Sequence, residues 1–564
     1  MLKKNLLLFF IIILAILPRF VFLDRIPAAA NNDELHYAIN SQSFFMSGKD
    51  TSASVTPIDL LLFKYPKGDI QAELPYFVDA PFLVLFGTSL FSLALPNAIL
   101  SVFSVLLLYL ITKKLFDEKT AIVAGLLGVI NPWFIFLGRS GYEMGNALFF
   151  FLSILYSLLI VKGWKILLVF PLALLAFYSY IGTKLIFLPF MLLVIIYAYF
   201  LNNKKYLKQY VLLFLLCALF LTFFIFRIGG GGRTSEIVTP NSTQIVQKVD
   251  ELRKTTIRTP IMNLYENKYF VYSEVLTKNL FNVFSPYYLF AGGDYFYILG
   301  IHGILYYVDF LFLGLGLALL LFLKRKLFIF LGLLIFISSL PEVFHNPGGS
   351  GVFSAHITLM VPFLLIVIAF GISHILGKIR NKRYLYIFSG LIALVYFFLF
   401  LNFVNSYFFR FPLQNGTFSM QNRILSKYIS LNKGPVVIYS TNRSKTFEEY
   451  VFYTNLYRKN KKEVDKAIEN KTYTLNNVSF KDCGQRPASQ QKNLIIDDAN
   501  CGRKLPDAIF ITQLYDNGAA YSIFNDSVCK KYNLPHFISN VKLSNLSVEN
   551  LKEKNFCEDF IVSY

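Results

Sequence analysis

Uncharged apolar runs separated by short basic clusters dominate the chain. The runs lie at about 5–23, 91–112, 120–138, 144–161, 166–183, 185–203, 209–226, 303–323, 327–341, 356–377 and 384–404. A helix needs roughly 17–25 apolar residues to cross a bilayer, so the pattern predicts about eleven transmembrane helices. The basic clusters are Lys3-Lys4, Lys113-Lys114, Lys162 to Lys165, Lys204 to Lys208, Lys324 to Lys326 and Lys378 to Arg383. If the first is cytoplasmic, alternating passes put all six on that face, as the positive-inside rule requires. The C-terminal tail then lies outside.

Lys3-Lys4, the first run and Ala28–Ala30 also follow the order of a cleaved signal peptide. Arg19, Asp24 and Arg25 separate the run too far from the alanines, so a retained first helix is expected. Residues 24–80 and 227–300 form long outer loops, and the inner loops are short. Long loops without a role are uncommon, which directs the search for function to the outer face.

From residue 412 the pattern changes. "GPVVIYSTNRSKTFEEYVFYTNLYRKN" reads as strand, turn and helix, and "NLIIDD" and "PDAIFITQLY" as further strands. The expected fold is an all-α polytopic membrane protein over residues 1–411 with a small extracytoplasmic α/β domain over 412–564.

Composition agrees. The 564 residues are 55% hydrophobic and 16% charged, a balance that would leave a soluble domain with far too much apolar surface. The 60 Phe and 35 Tyr suit lipid interfaces. The net charge of +20 resides largely in the clusters between apolar runs, which argues against a nucleic-acid partner. Cys483, Cys501, Cys529 and Cys557 in the tail predict two disulfides, with the pairing open. Cys217, in an apolar run, reads as a small core residue. Asn415-Gly-Thr and Asn470-Lys-Thr are sequons compatible with an outside tail.

Candidate chemistry begins in "PAAANNDELHYAINSQSFFMSG", which carries Asp33 and Glu34 just past the first run. Such a pair can simply favour a helix N-terminus. A carboxylate at a membrane surface can also take the proton of a hydroxyl nucleophile, and partial burial raises its basicity. Arg139 and Glu143 are spaced i, i+4 in "GRSGYEMG". They read either as a helix-end ion pair or as a cleft pair, Arg139 toward a phosphate and Glu143 toward a sugar or Asp33. Lys184, in "YSYIGTKLIF", breaks the positive-inside pattern. It either snorkels or meets a lipid phosphate. Tyr178 and Tyr180 beside it are candidates for lining a sugar site or belong to an interfacial belt. Arg233, a further candidate for binding a lipid phosphate, follows four glycines, which can form a hinge for a loop closing over a donor lipid or a plain linker. Asp294, His302 and His356 are further substrate-lining candidates, although a lone His is often structural. No cluster has metal-ligand spacing. A divalent ion between Asp33 and Glu143 is conceivable but not indicated, so no cofactor is assigned.

Several blocks occur in order: "NNDELHYAINSQSFFMSGKD", "LPYFVDAPFLVLFGTSLFSLALPNAILSVFSVLLLYLITKKLF", "NPWFIFLGRSGYEMGNALFFFLSILYSLL", "AFYSYIGTKLIFLP", "NVFSPYYLFAGGDYFYILGIHGILYYVDFLFLGLGL" and "SAHITLMVPFLLIVIAFGI". With them, residues 15 to 410 resemble the GT-C fold, polyprenyl-phosphate-sugar-dependent glycosyltransferases, the protein mannosyltransferase and aminoarabinose transferase group (glycosyltransferase family 39-like). The chain departs from that group at Ala94 and His356, where the family often has arginine. The resemblance implies a multi-pass cell-membrane enzyme with a cytoplasmic N-terminus. It would transfer a hexosyl or pentosyl group, with inversion, from a polyprenyl-phosphate donor to a hydroxyl of a protein, lipid or glycan acceptor, with Asp33 as catalytic base.

The alternative reading is a transporter or lipid-linked glycan flippase, which should show matched halves with paired broken helices; no such repeat is visible. A polysaccharide polymerase or ligase would share the helices and a large outer loop but lack an acidic pair directly after the first helix. A scaffold without chemistry accounts least well for the charges at the helix ends.

Overall fold

The computed structural model describes residues 2–65, 72–202, 204–228, 237–294, 297, 302–345, 352–414, 418, 420–485, 494–502, 508–514, 518–538 and 541–563. Its helical part runs through α1 (Leu2–Phe20), α2 (Asn32–Ser47), α3 (Leu74–Phe86), α4 (Leu90–Leu115), α5 (Glu118–Ile130), α6 (Met144–Ile160), α7 (Val169–Ser179), α8 (Phe187–Leu201) and α9 (Leu207–Ile228). It continues with α10 (Asp309–Leu323), α11 (Arg325–Val343), α12 (Val361–Lys378) and α13 (Lys382–Val404). Among the described residues, five stretches are long and apolar enough to cross a membrane: Leu90–Leu115, Leu207–Arg227, Arg325–Val343, Ser354–Lys378 and Lys382–Gln414. Leu6–Phe20, Leu74–Phe86, Met144–Ile160, Gly163–Ser179, Phe187–Leu201 and Asp309–Leu323 are apolar but shorter. The helices pack closely where side chains are absent. A Cβ on Gly316 of α10 would lie 2.2 Å from Val367 O of α12, and one on Gly371 of α12 would lie 2.5 Å from Phe312 O.

The structure departs from the expected spans in several places. The run 120–138 is broken: α5 stops at Ile130, and Asn131 Oδ1 accepts from Phe134 N to cap a short helix, Pro132–Leu137. Pro132 lacks the N–H that would continue the first helix. The run 166–183 starts as a 3-10 turn, Gly163–Leu168, and ends as α7 at Ser179. The helix expected from residue 303 begins at Asp309.

The expected loop 24–80 is partly helical: α2, the short helix Pro57–Leu61 and the start of α3 all lie in it or at its edge. Glu73 before α3 pairs with Lys184, and Thr88 after it bonds Asn455 of the C-terminal domain. With 13 residues and a buried Asp79, α3 is one of the shorter apolar helices. The region 227–300 also folds in part, as Thr243–Thr255, Met262–Tyr265 and Lys268–Val283.

The described residues of the tail form α14 (Gln421–Leu431), α15 (Arg443–Tyr453) and a seven-stranded sheet. The strands are β1 (Val436–Ser440), β2 (Thr474–Leu475), β3 (Val478–Asp482), β4 (Leu494–Asp498), β5 (Ile509–Thr512), β6 (Ala519–Phe524) and β7 (Ile561–Ser563), in the order β2-β3-β1-β4-β6-β5-β7. β1 lies parallel to β3 and β4, and the other pairings are antiparallel. All five residues of β1 are buried, as expected for a central parallel strand. Disulfides join Cys483 to Cys501 and Cys529 to Cys557, and Cys217 is free and buried. Asn470 is exposed; the sequon at Asn415 lies outside the described residues.

Candidate active site

The site is built on the first turn of α2. Asn31 Oδ1 accepts from Glu34 N at 2.9 Å, and Glu34 Oε2 accepts from Asn31 N at 2.8 Å. This capping box places Asp33, half-buried, in the first turn at the positive end of the helix dipole. The other oxygen of Glu34 accepts from Gly141 N at 2.5 Å, tying α2 to the turn before α6. Burial lifts the Glu34 carboxyl to about 7; the N–H groups of Asn31 and Gly141 oppose the rise, and the Asp33 charge adds to it. Glu34, expected to be catalytic, is thus committed to the cap and to Gly141.

Glu143 is buried where α6 begins. Tyr37, Tyr76 and Tyr142 each interact electrostatically with both Asp33 and Glu143, so the two carboxylates converge on one aromatic wall. Within it the Tyr37 and Tyr76 rings lie 4.9 Å apart, and Tyr142 meets Tyr297 edge-on at 5.3 Å. Carboxylates beside tyrosines offer a proton acceptor, hydroxyl tips and apolar ring faces in one place.

Arg139 lies beside this wall but faces elsewhere. Nη1 donates to Pro18 O and Val21 O at 2.9 and 2.8 Å, and Nη2 to Phe22 O and Ile26 O at 3.1 and 2.9 Å. Its guanidinium also stands 4.5 Å from the Phe408 ring centroid. Fully buried, it clamps the chain leaving α1, so the fork expected to meet a phosphate is spent on backbone. Arg19 does a similar task deeper in the bundle, donating to Ser101 Oγ and to the carbonyls of Ala15, Gly128 and Val129.

Lys184 is buried between α7 and α8, with Nζ 2.6 and 2.8 Å from the two oxygens of Glu73. Phe63, Phe177 and Phe224 surround the ammonium, and Tyr65 OH donates to Glu73 at 2.6 Å. Tyr178 OH donates to Leu61 O, which pins the short helix of the first loop. Tyr180 stacks on His356 at 6.3 Å. His356 Nδ1 lies 2.7 Å from Glu342 Oε2, and Asp294 Oδ2 accepts from Ser354 N at 2.8 Å. Asp294 and Glu143 both act on Tyr297, which joins this second cluster to the first. His302 stands apart, with Nε2 3.2 Å from Ser406 Oγ and its ring against Phe403. Arg233 lies outside the described residues.

Sequence reasoning passed over Glu73, Asp79, Glu342, Tyr142 and Tyr297. For Asp79 and Glu342 a signal was present, an acid inside an otherwise apolar helix. The tyrosines carried none, because interfacial Tyr is common in such chains. Among the described residues, no group of three or more His, Cys, Asp or Glu side chains is arranged to hold a metal.

An apolar cavity of about 700 Å³ runs between α1, α5, α12 and α13, lined by Leu17, Val21, Leu126, Ile372, Tyr396 and Phe400 among others. Val21 and Phe22, whose carbonyls Arg139 holds, are among its lining residues.

Comparison with known proteins agrees with the resemblance read from the chain. No curated protein matches it significantly. ArnT from Cupriavidus metallidurans, bound to undecaprenyl phosphate, aligns at 12% identity and a TM-score of 0.48, covering 92% of this chain and 98% of that one. AglB from Archaeoglobus fulgidus, in complex with an inhibitory peptide and a dolichol-phosphate, aligns at 13% identity and a TM-score of 0.47, covering 97% of this chain and 77% of that one. The Archaeoglobus fulgidus oligosaccharyltransferase tethered with an acceptor peptide aligns at 13% identity and a TM-score of 0.46 over 80% of this chain, which spans 63% of its length. Residues 73–226, which hold Glu73, Glu143 and Lys184, match the model of the dolichyl-phosphate-mannose-protein mannosyltransferase family.

Proposed function

We propose that the chain is an inverting membrane glycosyltransferase that moves a sugar from a polyprenyl phosphate to a hydroxyl acceptor on the extracytoplasmic face. The observation that carries the reading is the placement of Asp33. It is a half-buried carboxylate at a helix head, sharing the wall of Tyr37, Tyr76 and Tyr142 with Glu143, where an apolar bundle meets a folded domain. Residues 1–411 act as the catalytic core and 412–564 as an extracytoplasmic domain, with the N-terminus cytoplasmic.

In the reaction the acceptor oxygen attacks the anomeric carbon and passes its proton to Asp33. The bond from that carbon to the phosphate oxygen breaks, and its electron pair leaves with the lipid phosphate. Attack opposite the leaving group inverts the sugar carbon. Phosphate departs as an anion and needs a cation more than an acid. Lys184 supplies that cation and Glu73 balances it while the donor is absent. Glu143 and the tyrosines hold the sugar hydroxyls, and the apolar cavity at Val21 suits an isoprenoid tail.

The test incubates purified protein with a panel of polyprenyl-phosphate hexoses and pentoses and measures release of the lipid phosphate. Release from at least one donor, lost in Asp33→Asn, is expected. Release that persists in Asp33→Asn would remove the base, and no release from any donor would overturn the reaction class.

A further inference from the structure

The helix that carries Asp33 is held by the C-terminal domain. Ala28, Ala29 and Ala30, directly before its cap, are 0%, 3% and 5% exposed. Buried backbone groups need partners, and two of these come from the far end of the chain. Arg423 Nη1, on α14, donates to Ala28 O at 2.9 Å, and Ala30 N donates to Tyr453 Oη, at the end of α15, at 2.9 Å. Arg423 is itself aimed: Nε and Nη2 grip both carboxylate oxygens of Glu549, and Lys427 Nζ donates to Glu549 O.

The apolar packing follows the same line. Phe452 and Tyr453 form one buried cluster with Ala29, Ala30, Leu35, Ala38, Leu83 and Leu93. Thr88, in the turn between α3 and α4, donates its hydroxyl to Phe452 O at 2.8 Å and its N–H to Asn455 Oδ1 at 3.0 Å. Gly87 in the same turn has φ +77°, and a Cβ there would sit 2.7 Å from Asn455 Nδ2. α15 therefore seats on α2 and on the α3–α4 turn together. Asp33 lies three residues beyond Ala30, and the Arg139 clamp on Pro18–Ile26 holds the chain just before that seat.

We infer that Arg423 and Tyr453 are positioning residues for the transfer, fixing the Ala28–Ala30 backbone and through it the placement of Asp33. The inference rests on the glycosyl-transfer reading for its kinetic consequence only. A reacting group displaced by a fraction of its proper distance loses turnover without losing donor binding, and that split separates positioning from simple domain stability.

The experiment uses full-length Tyr453→Phe, Arg423→Lys and Arg423→Gln in detergent or nanodiscs. Tyr453→Phe keeps the ring packing and removes the acceptor for Ala30 N. Hydrogen exchange of peptides covering residues 28–40 should quicken in Tyr453→Phe and Arg423→Gln, with protection of 421–563 unchanged. The kcat for lipid-phosphate release should fall about tenfold and donor KM should stay within about twofold. Arg423→Lys, which keeps a donor for Ala28 O, should retain more kcat than Arg423→Gln. Unchanged exchange at 28–40, or faster exchange with kcat intact, overturns the inference. So does loss of protection across all of 421–563, which marks a stability role alone. If wild type releases no lipid phosphate, the glycosyl-transfer reading falls, and the exchange result still decides whether the clamp holds α2.

Discussion

Lys184 and Glu73 form an ion pair inside the protein: the side chains are 7% and 1% exposed, and Nζ lies 2.6 Å from one carboxylate oxygen. The pair ties the residue before α3 to the α7–α8 turn. Removing one partner of such a pair strands a charge and costs about 3–5 kcal/mol, whereas replacing both with apolar groups is often close to neutral. Lys184→Met and Glu73→Leu should each lower thermal stability strongly, and the double variant should recover most of it. Donor KM should rise in Lys184→Met and stay raised in the double variant. Recovery of KM along with stability would remove Lys184 from phosphate binding.

Asp33→Asn should lower kcat by roughly 10²–10⁴, the range for loss of a general base. Its donor KM and melting temperature should change little. Asn occupies the same volume, and the lost charge–dipole interaction is worth only about 0.3–1 kcal/mol. A kcat within tenfold of wild type would exclude proton transfer to this carboxylate.

Glu34 gives a pH signature of opposite sense to an ordinary salt-bridged acid. Its folded carboxyl titrates at about 7 against 4.5 for the free group, so the folded state binds its proton more tightly than the unfolded state. Its contribution is greatest below 4.5 and is lost as pH rises through about 7. Glu449 on α15, also raised to about 7 chiefly by burial, acts in the same direction. At about 1.4 kcal/mol per pKa unit, each accounts for roughly 3 kcal/mol at most. Melting temperature should therefore fall between pH 4.5 and 7, and more shallowly in Glu449→Gln. A melting temperature that rises over that window would contradict the burial of both acids.

Much of this was legible in the chain, and the residues show why. The apolar periodicity marks the long helices because a membrane-length run leaves no other reading. Asp33 and Glu34 read as charges at a helix N-terminus, and both sit in the first turn of α2, with Asn31 as its cap. "VVIYS" and "LIIDD" read as strands because central parallel strands are apolar on both faces. The partners of the charges were not legible. Arg139 and Glu143 at i, i+4 suggest a pair, yet the structure sends Arg139 to carbonyls more than 110 residues away, since a buried guanidinium seeks the nearest unsatisfied oxygens. Lys184 finds Glu73 at a separation of 111 residues, which no local spacing encodes.

Arg139→Lys keeps the charge and loses the planar fork that reaches four carbonyls. Each buried carbonyl left without a donor costs about 1–3 kcal/mol. A loss of stability on the order of 3 kcal/mol or more is expected, with donor KM unaltered in the protein that folds. A raised KM with unchanged stability would restore Arg139 as a phosphate ligand.

The two disulfides connect tail stability to turnover. Cys483–Cys501 closes a separation of 18 residues and bridges the segments following β3 and β4, which flank β1. Cys529–Cys557 closes 28 residues and joins the turn after β6 to the helix before β7. Loops of this size are worth about 3 kcal/mol each in the chain-entropy account. Cys529 and Cys557 are fully buried, so Cys529→Ser with Cys557→Ser should cost more than the pair Cys483→Ser with Cys501→Ser. Glu549, which aims Arg423 at Ala28, lies eight residues before Cys557. Loosening that segment should release Arg423 and lower kcat before the helical bundle melts. Measured as kcat and tail melting against reductant, the two should fall together, and a tail that melts with kcat intact would uncouple the domain from Asp33.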